Sequence, residues 1–398
     1  MIDKQYVLFT RIPLVKTKSM RLFCDPLWAK DLKLHLDYIS DFRICCPVVY
    51  TDDTQGLQEI THFSIKRIFA LRKDYGWPSV AANLFPNFAG VIHACKDASI
   101  VHSGGAGWAF PLSFYLLVVR PFFSFQWVIV IESSFWMLAK NQKYSLRSYL
   151  NHHIHRIVLG LCVRKADARI FTQSFYRKFF LGEETRRTLI APASWVDKSN
   201  LACTPAVERR FLERKGKTVH MIFPARLVED KGVFVLFDAI EHLQKLGVRL
   251  EITIMGTGEL EADCKSFTLR QRGSVNVTFR GPSAYGSDFF EILRNHDVVL
   301  VPNLKEEQPR IIFDAFSQGV GVIASDTSGI LDIVVNGGNA VVCKRGDPRS
   351  LAEAIRYVAQ NPGLVVKMGI NGLKYMDNKT HLQMHLDRQR FFNQVLGV

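Results

Sequence analysis

The order of strands and helices is clearest in residues 301–332, which read VPNLKEEQPRIIFDAFSQGVGVIASDTSGILD. An apolar run ends at Val301-Pro302, a polar loop follows, and an amphipathic segment at 310–318 leads to a second apolar run at 321–324. A strand, a helix and a strand in this order are typical of a βαβ unit, whose strands are parallel. The stretch therefore predicts a parallel sheet that is covered by helices.

The same alternation extends over the rest of the chain of 398 residues. Short β-branched runs alternate with longer amphipathic segments on both sides of the polar stretch 194–210, which we interpret as a linker. We therefore expect an α/β fold of two doubly wound, Rossmann-like domains that face a central cleft. The predicted domains are residues 1–195 and 196–379, and a terminal helix in 380–398 is expected to pack back on the first domain. In such sheets ligands bind beyond the carboxyl ends of the strands.

The chain carries a net charge of +14, which is unevenly distributed. Residues 1–195 contribute +11, and the remaining residues contribute only +3. A basic excess of this size indicates an anionic partner, such as nucleic acid, lipid headgroups or a phosphorylated ligand, although a surface that only serves solubility is an alternative. The chain shows no helix-turn-helix, aromatic RNA-binding strand or zinc motif, so no nucleic-acid partner is expected.

The eight cysteines show no CxxC pair and no ligand spacing, so no metal site is predicted. We interpret all eight as reduced thiols of a cytoplasmic protein. The N-terminus lacks the features of a signal peptide, and the most apolar stretch, residues 108–131, is interrupted by Arg120-Pro121. We therefore expect a cytoplasmic chain that does not cross a membrane.

Two cations follow the first predicted strand of the second domain. Arg226 lies in the exit loop of the run FPARLVEDKG (223–232), and Lys231-Gly232 precede a predicted helix. Two cations beside a helix N-terminus suit a diphosphate, because the free N–H groups and the helix dipole add to the two charges. The alternative is a solvated turn with a surface lysine.

Glycines and carboxylates follow the next strands. Gly256 and Gly258 in MGTGEL (255–260) suit a tight turn at the cleft, although the third glycine of a dinucleotide fingerprint is absent. Glu306 lies in the loop of the opening stretch, and we predict Asp314 on the first turn of the following helix. Carboxylates accept strong hydrogen bonds from sugar hydroxyls, and ordinary helix-capping acids are the alternative.

Together these residues resemble the donor-binding domain of a retaining, family 4 glycosyltransferase of the GT-B fold, of the type that builds bacterial polysaccharide and lipopolysaccharide. The resemblance covers residues 218–360. The family pattern is an Arg…Lys-Gly element, a Gly-x-Gly turn, a Glu-x7-Glu element and a Gly-Gly turn before an acidic residue. The corresponding residues here are Arg226, Lys231-Gly232, Gly256–Gly258, Glu306…Asp314 and Ser328-Gly329…Asp332.

The resemblance implies a nucleotide-sugar donor, such as a UDP- or GDP-sugar, and a glycan or lipid-linked acceptor. It implies that Arg226 and Lys231 hold the donor diphosphate, that Glu306 binds sugar hydroxyls and that Asp314 binds the ribose. It also implies that backbone N–H groups around Ser328-Gly329 and after Glu306 complete the diphosphate site. No cofactor or metal is implied, because the two cations and helix dipoles take the place of a metal. The resemblance also implies no protein nucleophile, since the leaving phosphate of retaining members assists attack on the same face of the sugar.

The chain departs from the family pattern at two of these positions. Asp314 replaces a glutamate, and Pro309 stands where the family has glycine, which makes Arg310 a substitute cation. These departures keep open the alternative of a catalytically silent GT-B partner or scaffold subunit of a glycosyltransferase complex.

In the first domain, His102 is the candidate catalytic residue on the acceptor side. We predict that it closes a strand before the glycine-rich turn SGGAG, as a histidine of the family does, and a structural histidine is the alternative. The six residues NHHIHR (151–156) have the spacing of a solvated helix face. Aromatic stretches at 108–115 and 121–127, together with the basic excess, indicate an anionic membrane surface as a further partner of a peripheral protein. Core packing is the alternative for these aromatic residues.

Overall fold

The computed structural model describes residues 1–105, 112–133, 136–138, 145–214, 216 and 218–397. The chain forms two compact units. The first contains Met1–Leu138, Gln142–Pro192 and Leu382–Val398, and the second is formed almost entirely by Ala193–His381. The boundary thus lies at Pro192–Ala193, and the last residues of the chain belong to the first unit.

The first unit is built on a ten-stranded sheet. Its strands are β1 (Tyr6–Phe9), β2 (Leu14–Lys16), β3 (Leu22–Cys24), β4 (Phe42–Tyr50), β5 (Gln58–Glu59), β6 (Arg67–Leu71), β7 (Ile100–Gly104), β8 (Gln126–Ile131), β9 (Ala168–Phe171) and β10 (Thr188–Ile190). Its first five helices are α1 (Pro26–Leu36), α2 (Trp77–Cys95), α3 (Leu112–Val119), α4 (Leu146–Lys165) and α5 (Ser174–Leu181). The order β10-β9-β8-β7-β1-β4 is parallel throughout, β6 pairs with β4 on its other side, and the short strands β2, β3 and β5 extend the sheet.

The second unit is a six-stranded, fully parallel sheet in the order β13-β12-β11-β14-β15-β16. Its strands are β11 (His220–Pro224), β12 (Leu250–Met255), β13 (Val275–Arg280), β14 (Val298–Val301), β15 (Gly321–Ser325) and β16 (Ala340–Cys343). Its helices are α6 (Thr204–Arg214), α7 (Val233–Lys245), α8 (Glu261–Arg270), α9 (Ser287–Arg294), α10 (Arg310–Ser317), α11 (Ser328–Leu331), α12 (Pro348–Gln360) and α13 (Pro362–Met376). The terminal helix α14 (His381–Leu396) then returns the chain to the first unit.

Each sheet separates two hydrophobic cores, because successive residues of a strand point to opposite faces. In β11, Met221 and Phe223 face the core that includes α7 and α12, whereas Ile222 faces the core that includes α10. In β8, Trp127 and Ile129 face α3 and α4, whereas Val128 and Val130 face α1 and α14. Both sheets are therefore covered on both faces, as parallel sheets require.

The predicted linker is only partly irregular. Residues 204–214 form α6, whose charged sequence TPAVERRFLER buries Val207 and Phe211. Most residues of this helix are polar, so its sequence resembles that of a linker. Only the burial of Val207 and Phe211 shows that it packs on the second unit. Helix α2 was not predicted, because Pro86 lies inside it and argues against a helix, whereas Pro78 lies in its first turn, where proline is tolerated.

The aromatic stretches expected to meet a membrane are mainly core. Tyr115, Phe125 and Trp127 are buried, and Phe122 is exposed. Residues 108–111 of the first stretch lie outside the described residues. Within the described part of the chain, no helix is both long enough and apolar enough to span a bilayer.

Candidate active site

The predicted donor-binding residues of the second unit lie at the carboxyl edge of its sheet. The strand order reverses there, since the chain moves from β11 outward to β13 and then crosses back to β14. The loops after β11, β14 and β15 carry Lys231, Glu306 and Ser328, respectively. A crevice at such a reversal is the usual place for a ligand in a doubly wound sheet.

The loops after β11 and β14 are joined by ion pairs. The Lys231 ammonium group donates to the Glu307 carboxylate, which also accepts from Asn303 Nδ2 at 2.6 Å. Lys305 Nζ lies 2.6 Å from Asp230 Oδ2, and the Leu304 N–H donates to the Asp230 carbonyl oxygen at 2.9 Å. The predicted phosphate-binding lysine is therefore held beside the loop that carries the predicted sugar-binding carboxylate.

Gly232 permits this close approach of the two loops. Its φ is +79°, in the left-handed region, and a Cβ atom at this position would lie 2.1 Å from the Pro302 carbonyl oxygen. Gly232 is also the N-cap residue of α7, so Lys231 stands immediately before a helix N-terminus. The two residues of the Lys-Gly sequence thus have different roles. Lys231 supplies a positive charge, and Gly232 leaves room for the Pro302 carbonyl oxygen.

The Gly-x-Gly turn supports the Arg226 loop from the other side. Gly256 has a φ of +140°, and a Cβ atom there would lie 1.9 Å from the Ala225 carbonyl oxygen. The Leu227 N–H donates to the Thr257 carbonyl oxygen at 2.9 Å. A Cβ atom on Gly258 would likewise lie 2.5 Å from the Leu227 carbonyl oxygen. The two predicted glycines therefore pack the turn against the loop that bears Arg226, whose side chain is exposed.

Glu306 joins the loops that follow β15 and β16. One oxygen of its carboxylate accepts from the Ser328 N–H at 2.7 Å, and the other accepts from Arg345 Nη1 at 2.5 Å. Ser328 is the first residue of the short helix α11, which contains Gly329. The Glu306 side chain, at 22% exposure, is thereby fixed in orientation while part of it still faces solvent.

Asp314 lies deeper than the sequence suggested. Because α10 begins at Arg310, Asp314 lies on the second turn and not on the first, and its residue exposure is 6%. Its Oδ1 accepts from the Tyr285 hydroxyl at 2.9 Å. Burial, and then the Asp314 carboxylate, raise the pKa of Tyr285 above its ordinary value, so the phenol stays a donor to this acid.

The N-terminus of α10 also faces the loop of Glu306 and Glu307. Pro309 occupies its N-cap position, and in the described structure no side chain caps the helix. Arg310, the first residue of α10, places its guanidinium 5.5 Å above the Trp195 ring. An uncapped helix start with cations nearby is suited to an anionic ligand.

Four residues of this region were not anticipated: Asn303, Glu307, Arg345 and Tyr285. Glu307 adjoins Glu306 in sequence, and this adjacency is a signal that could have drawn attention to it. Arg345 follows β16, a strand that was not predicted, so nothing in the sequence placed it beside Glu306. Arg345 also has its N–H held by Asp326 Oδ1 at 2.7 Å.

His102 does not close its strand, contrary to the prediction. It is the third residue of β7, it is 5% exposed, and its Nδ1 lies 2.5 Å from the Tyr6 hydroxyl oxygen. Its ring contacts those of His35 and Phe392, on α1 and α14. Burial, and then His35, lower the pKa of His102 well below its usual range. The residue is part of a core face, and β7 ends two positions later at Gly104.

Comparison with known proteins supports the fold and the character of the second unit. Residues 206–375 match the family described as "Glycosyl transferases group 1". The chain is 26% identical over 163 residues to the capsular polysaccharide biosynthesis glycosyltransferase CapM of Staphylococcus aureus, covering 41% of this chain and 42% of CapM. It is 23% identical over 158 residues to an N,N'-diacetylbacillosaminyl-diphospho-undecaprenol α-1,3-N-acetylgalactosaminyltransferase of Campylobacter jejuni, covering 39% and 40% of the two chains. The chain thus aligns with less than half the length of these curated relatives.

The structural comparison extends over nearly the whole chain. The crystal structure of HepE of Anabaena in complex with UDP and glucose is similar with a TM-score of 0.67 at 14% sequence identity, and the alignment covers 99% of this chain and 100% of that one. The predicted fold class is confirmed, since the chain has the two-domain, Rossmann-like GT-B fold with two predominantly parallel sheets.

Proposed function

We propose that the protein is a retaining glycosyltransferase of family 4 that transfers a sugar from a nucleotide-sugar donor to a glycan or lipid-linked acceptor in cell-surface polysaccharide synthesis. One observation carries the proposal. Lys231, Glu306 and the uncapped start of α10 lie together at the carboxyl edge of the unit that matches the glycosyltransferase family. The match to transferases of capsular polysaccharide and of an undecaprenol-linked sugar supports this class of acceptor.

The nucleoside diphosphate that leaves the sugar has to be stabilised by positive charge. When the bond between the sugar and the β-phosphate breaks, negative charge grows on the diphosphate, and fixed cations stabilise that charge more than the ground state. We assign this role to Arg226 and Lys231, with Arg310 and the N–H groups at Ser328-Gly329 as further donors, which requires that the diphosphate compete with Glu306 for the Ser328 N–H. These groups supply the charge that a metal ion supplies in other transferases, so we propose a metal-independent reaction without a cofactor.

The two carboxylates are assigned to hydroxyl recognition. Glu306, which is already oriented by Ser328 and Arg345, would accept from hydroxyls of the donor sugar. Asp314 would bind the ribose, which requires that the ribose hydroxyl compete with Tyr285 for its carboxylate. No protein nucleophile is assigned, because the acceptor attacks on the face that the leaving phosphate vacates. His102 lies inside the β7 core face, so its assignment to the acceptor side rests on the resemblance alone.

The cytoplasm is the proposed location of the reaction, with a peripheral position on the cytosolic face of the inner membrane. All eight cysteines are free thiols, and seven of them are buried, which agrees with a reducing compartment.

Titration calorimetry with UDP, GDP and ADP tests the proposal and identifies the base. We expect one nucleoside diphosphate to bind to the wild type, and Lys231→Ala to weaken it about tenfold or more. Lys245→Ala is the matched control, because Lys245 is exposed at the far end of α7. Transfer of sugar should be lost in Lys231→Ala and in Glu306→Ala.

Two results would overturn the proposal. If none of the three nucleotides binds, the alternative of a catalytically silent partner is favoured. The departures from the family pattern at Asp314 and Pro309 would then be signs of lost catalytic activity. If sugar transfer survives in both Lys231→Ala and Glu306→Ala, the assignment of the site is wrong.

A further inference from the structure

Helix α4 is apolar on two opposite faces. Its inner face buries His155, Leu159, Cys162 and Val163 against the sheet of the first unit. Its outer face exposes five large apolar side chains, between 43% and 77% accessible, which we call the outer stripe: Leu146, Leu150, Ile154, Ile157 and Leu161. At about 100° per residue these five positions fall within an arc of about 80° that runs from Leu146 to Leu161, and the exposed Arg164 lies in the same arc in the last turn of the helix.

The outer stripe is unusual for a helix on the surface of a globular protein. Single exposed apolar residues need no explanation, whereas a continuous apolar row with polar borders marks an interaction surface. The six residues NHHIHR (151–156) belong to this helix, and the prediction of a solvated face holds only in part. His155 is buried and stacks on Trp136, whereas His153 is exposed beside the stripe.

Basic residues border the outer stripe on both sides. Arg147 and Lys165 project on one side at about 100° around the helix, and His153 and Arg156 project on the other. All four side chains are exposed, and the Arg156 guanidinium lies 5.6 Å above the Phe179 ring of α5. The surface therefore combines an apolar centre with cationic edges.

Neither α4 nor the two helices packed beside it carry an opposing charge, and the acids nearest to them in the described sequence are Asp167, after α4, and Glu183 and Glu184, after α5. Helix α4 packs beside α3 and α5, and none of these three helices contains an aspartate or glutamate. A second copy of the chain docked through the same stripe would place arginine and lysine edges against each other without an acid to pair them, because a twofold interface is self-complementary. The charge pattern favours an anionic occupant instead.

From these observations we propose that the outer face of α4 binds an anionic lipid membrane. A helix with a bulky apolar face and basic edges lies in the plane of the headgroups, with its apolar side chains between the lipids and its cations on the phosphates. Tyr149, which is 54% exposed beside the stripe, has the amphipathic ring that suits this interface. The proposal deepens the proposed function, since it names the membrane that would present a lipid-linked acceptor.

The position of α4 relative to the first sheet would bring a bound membrane close to the ligand-binding edge of that sheet. The helix follows β8 and returns to the start of the parallel strand β9, so its N-terminal end lies at the carboxyl edge of the first sheet. Leu146 and Leu150 are thus at the edge beyond which a doubly wound sheet binds its ligand. A membrane that contacts the stripe would present acceptor headgroups beside that edge.

Flotation with vesicles of phosphatidylcholine, with and without phosphatidylglycerol, tests the proposal on the full chain. We expect the wild type to float with the anionic vesicles at low salt and to bind less at high salt. The variant Leu150→Glu/Ile157→Glu should lower the bound fraction about tenfold. Arg147→Gln/Lys165→Gln should weaken binding to anionic vesicles and leave binding to neutral ones unchanged.

Controls separate this surface from a general loss of structure. Leu246→Glu/Leu269→Glu places the same charges on two exposed leucines of the second unit, and its binding should match the wild type. Thermal unfolding and nucleotide binding of all variants should also match the wild type. A failure of nucleotide binding in the wild type would count against the proposed function and leave the flotation result unaffected.

Three results would overturn the inference. The first is a wild type that stays in the unbound fraction at low and high salt, and the second is a Leu150→Glu/Ile157→Glu variant that floats as the wild type does. Size-exclusion chromatography with light scattering gives the third, a wild-type dimer that this variant dissociates, which would assign the stripe to self-association.

Discussion

Arg345 Nη1 donates to Glu306 Oε1 over 2.5 Å, and the two residues come from loops that follow different strands of the second sheet. The same carboxylate accepts from the Ser328 N–H, so a side chain and a helix start together set its orientation. Arg345 was not anticipated from the sequence, and its contact makes the first prediction possible.

Arg345→Gln should weaken binding of the nucleotide-sugar and leave binding of the free nucleoside diphosphate unchanged. Loss of one charged hydrogen bond loosens Glu306, whose assigned partner is the sugar, and the expected loss of affinity is about tenfold. Calorimetry with the intact donor and with its diphosphate product measures the two affinities separately. An equal loss for both ligands would show that Arg345 acts on the diphosphate.

Glu307→Gln should raise the affinity for the nucleoside diphosphate severalfold. In the structure Glu307 forms an ion pair with Lys231. A bound diphosphate has to replace Glu307 as the partner of Lys231, and it is repelled by the nearby Glu307 carboxylate. The neutral amide removes the competition and the repulsion, and it keeps a group that Asn303 can contact. In a Lys231→Ala background the same substitution should have a smaller effect, and strictly additive effects would contradict the model of competition.

Gly256→Ala should destabilise the second unit more than Gly286→Ala does. Both glycines have φ in the left-handed half of the map, +140° and +152°, but only at Gly256 would the new Cβ atom meet the Ala225 carbonyl oxygen. Strain of φ alone costs about 1–3 kcal/mol, and the clash adds to it. Urea denaturation measures the free energy of unfolding of each variant, and equal losses would show that the loop moves aside at no cost.

Acid should destabilise the first unit through its buried histidines. Burial is the first cause that lowers the pKa of His385, to about 3, although Asp31 Oδ1 lies 2.9 Å from its Nε2, and the pKa of His102 is also lowered. The unfolded chain takes up these protons near a pH of about 6.5, and the folded chain does not. The free energy of unfolding is therefore full above that pH and falls, by about 1.4 kcal/mol per pH unit and histidine, as the pH decreases toward the folded pKa.

Chemical denaturation at a series of pH values measures this slope. His385→Leu should lower stability at neutral pH, since the Asp31 carboxylate loses one of its two histidine contacts and keeps only that with His35, and should reduce the acid slope by about one proton. His62→Gln is the control, because His62 is exposed and its replacement should leave the slope unchanged. A slope that is the same in His385→Leu as in the wild type would contradict the assignment.

Sugar transfer should proceed in the presence of a chelator such as EDTA. Arg226, Lys231 and Arg310 are assigned the charge that would otherwise come from a divalent ion. Initial rates with and without EDTA should agree within error. A loss of activity that Mg²⁺ or Mn²⁺ restores would show that the reaction requires a metal.

Hydrophobic periodicity was sufficient to predict five of the six strands of the second sheet, because these strands are buried on both faces and the helices between them carry a single apolar stripe. The boundaries of α10 and β15 differ from the predicted ones by one residue at most. Turn position was harder. The start of α10 at Arg310 agrees with the predicted segment, but a turn holds only about 3.6 residues, so Asp314, the fifth residue, lies on the second turn and its assignment to the first was wrong.

Contacts between segments that are distant in sequence could not be predicted from the sequence alone. His102 is followed by glycines, which suggests a strand end, whereas pairing of β7 with β8 continues to Gly104. Arg345 reaches Glu306 only because β15 and β16 are neighbours in the sheet. Helix α4 has apolar residues on two opposite faces, so its sequence shows no clear hydrophobic periodicity. The outer stripe could be recognised only after the structure showed which face is buried.

Helix α14 has a consequence for the order in which the protein is made. Its Phe392 is buried against Tyr6, and its His385 bonds to Asp31, so the first unit completes its core with a segment that leaves the ribosome after the second unit. The second unit is almost continuous in sequence and can close earlier. During synthesis the later-encoded unit should therefore become resistant to protease before the first one does, the reverse of the usual N-to-C order.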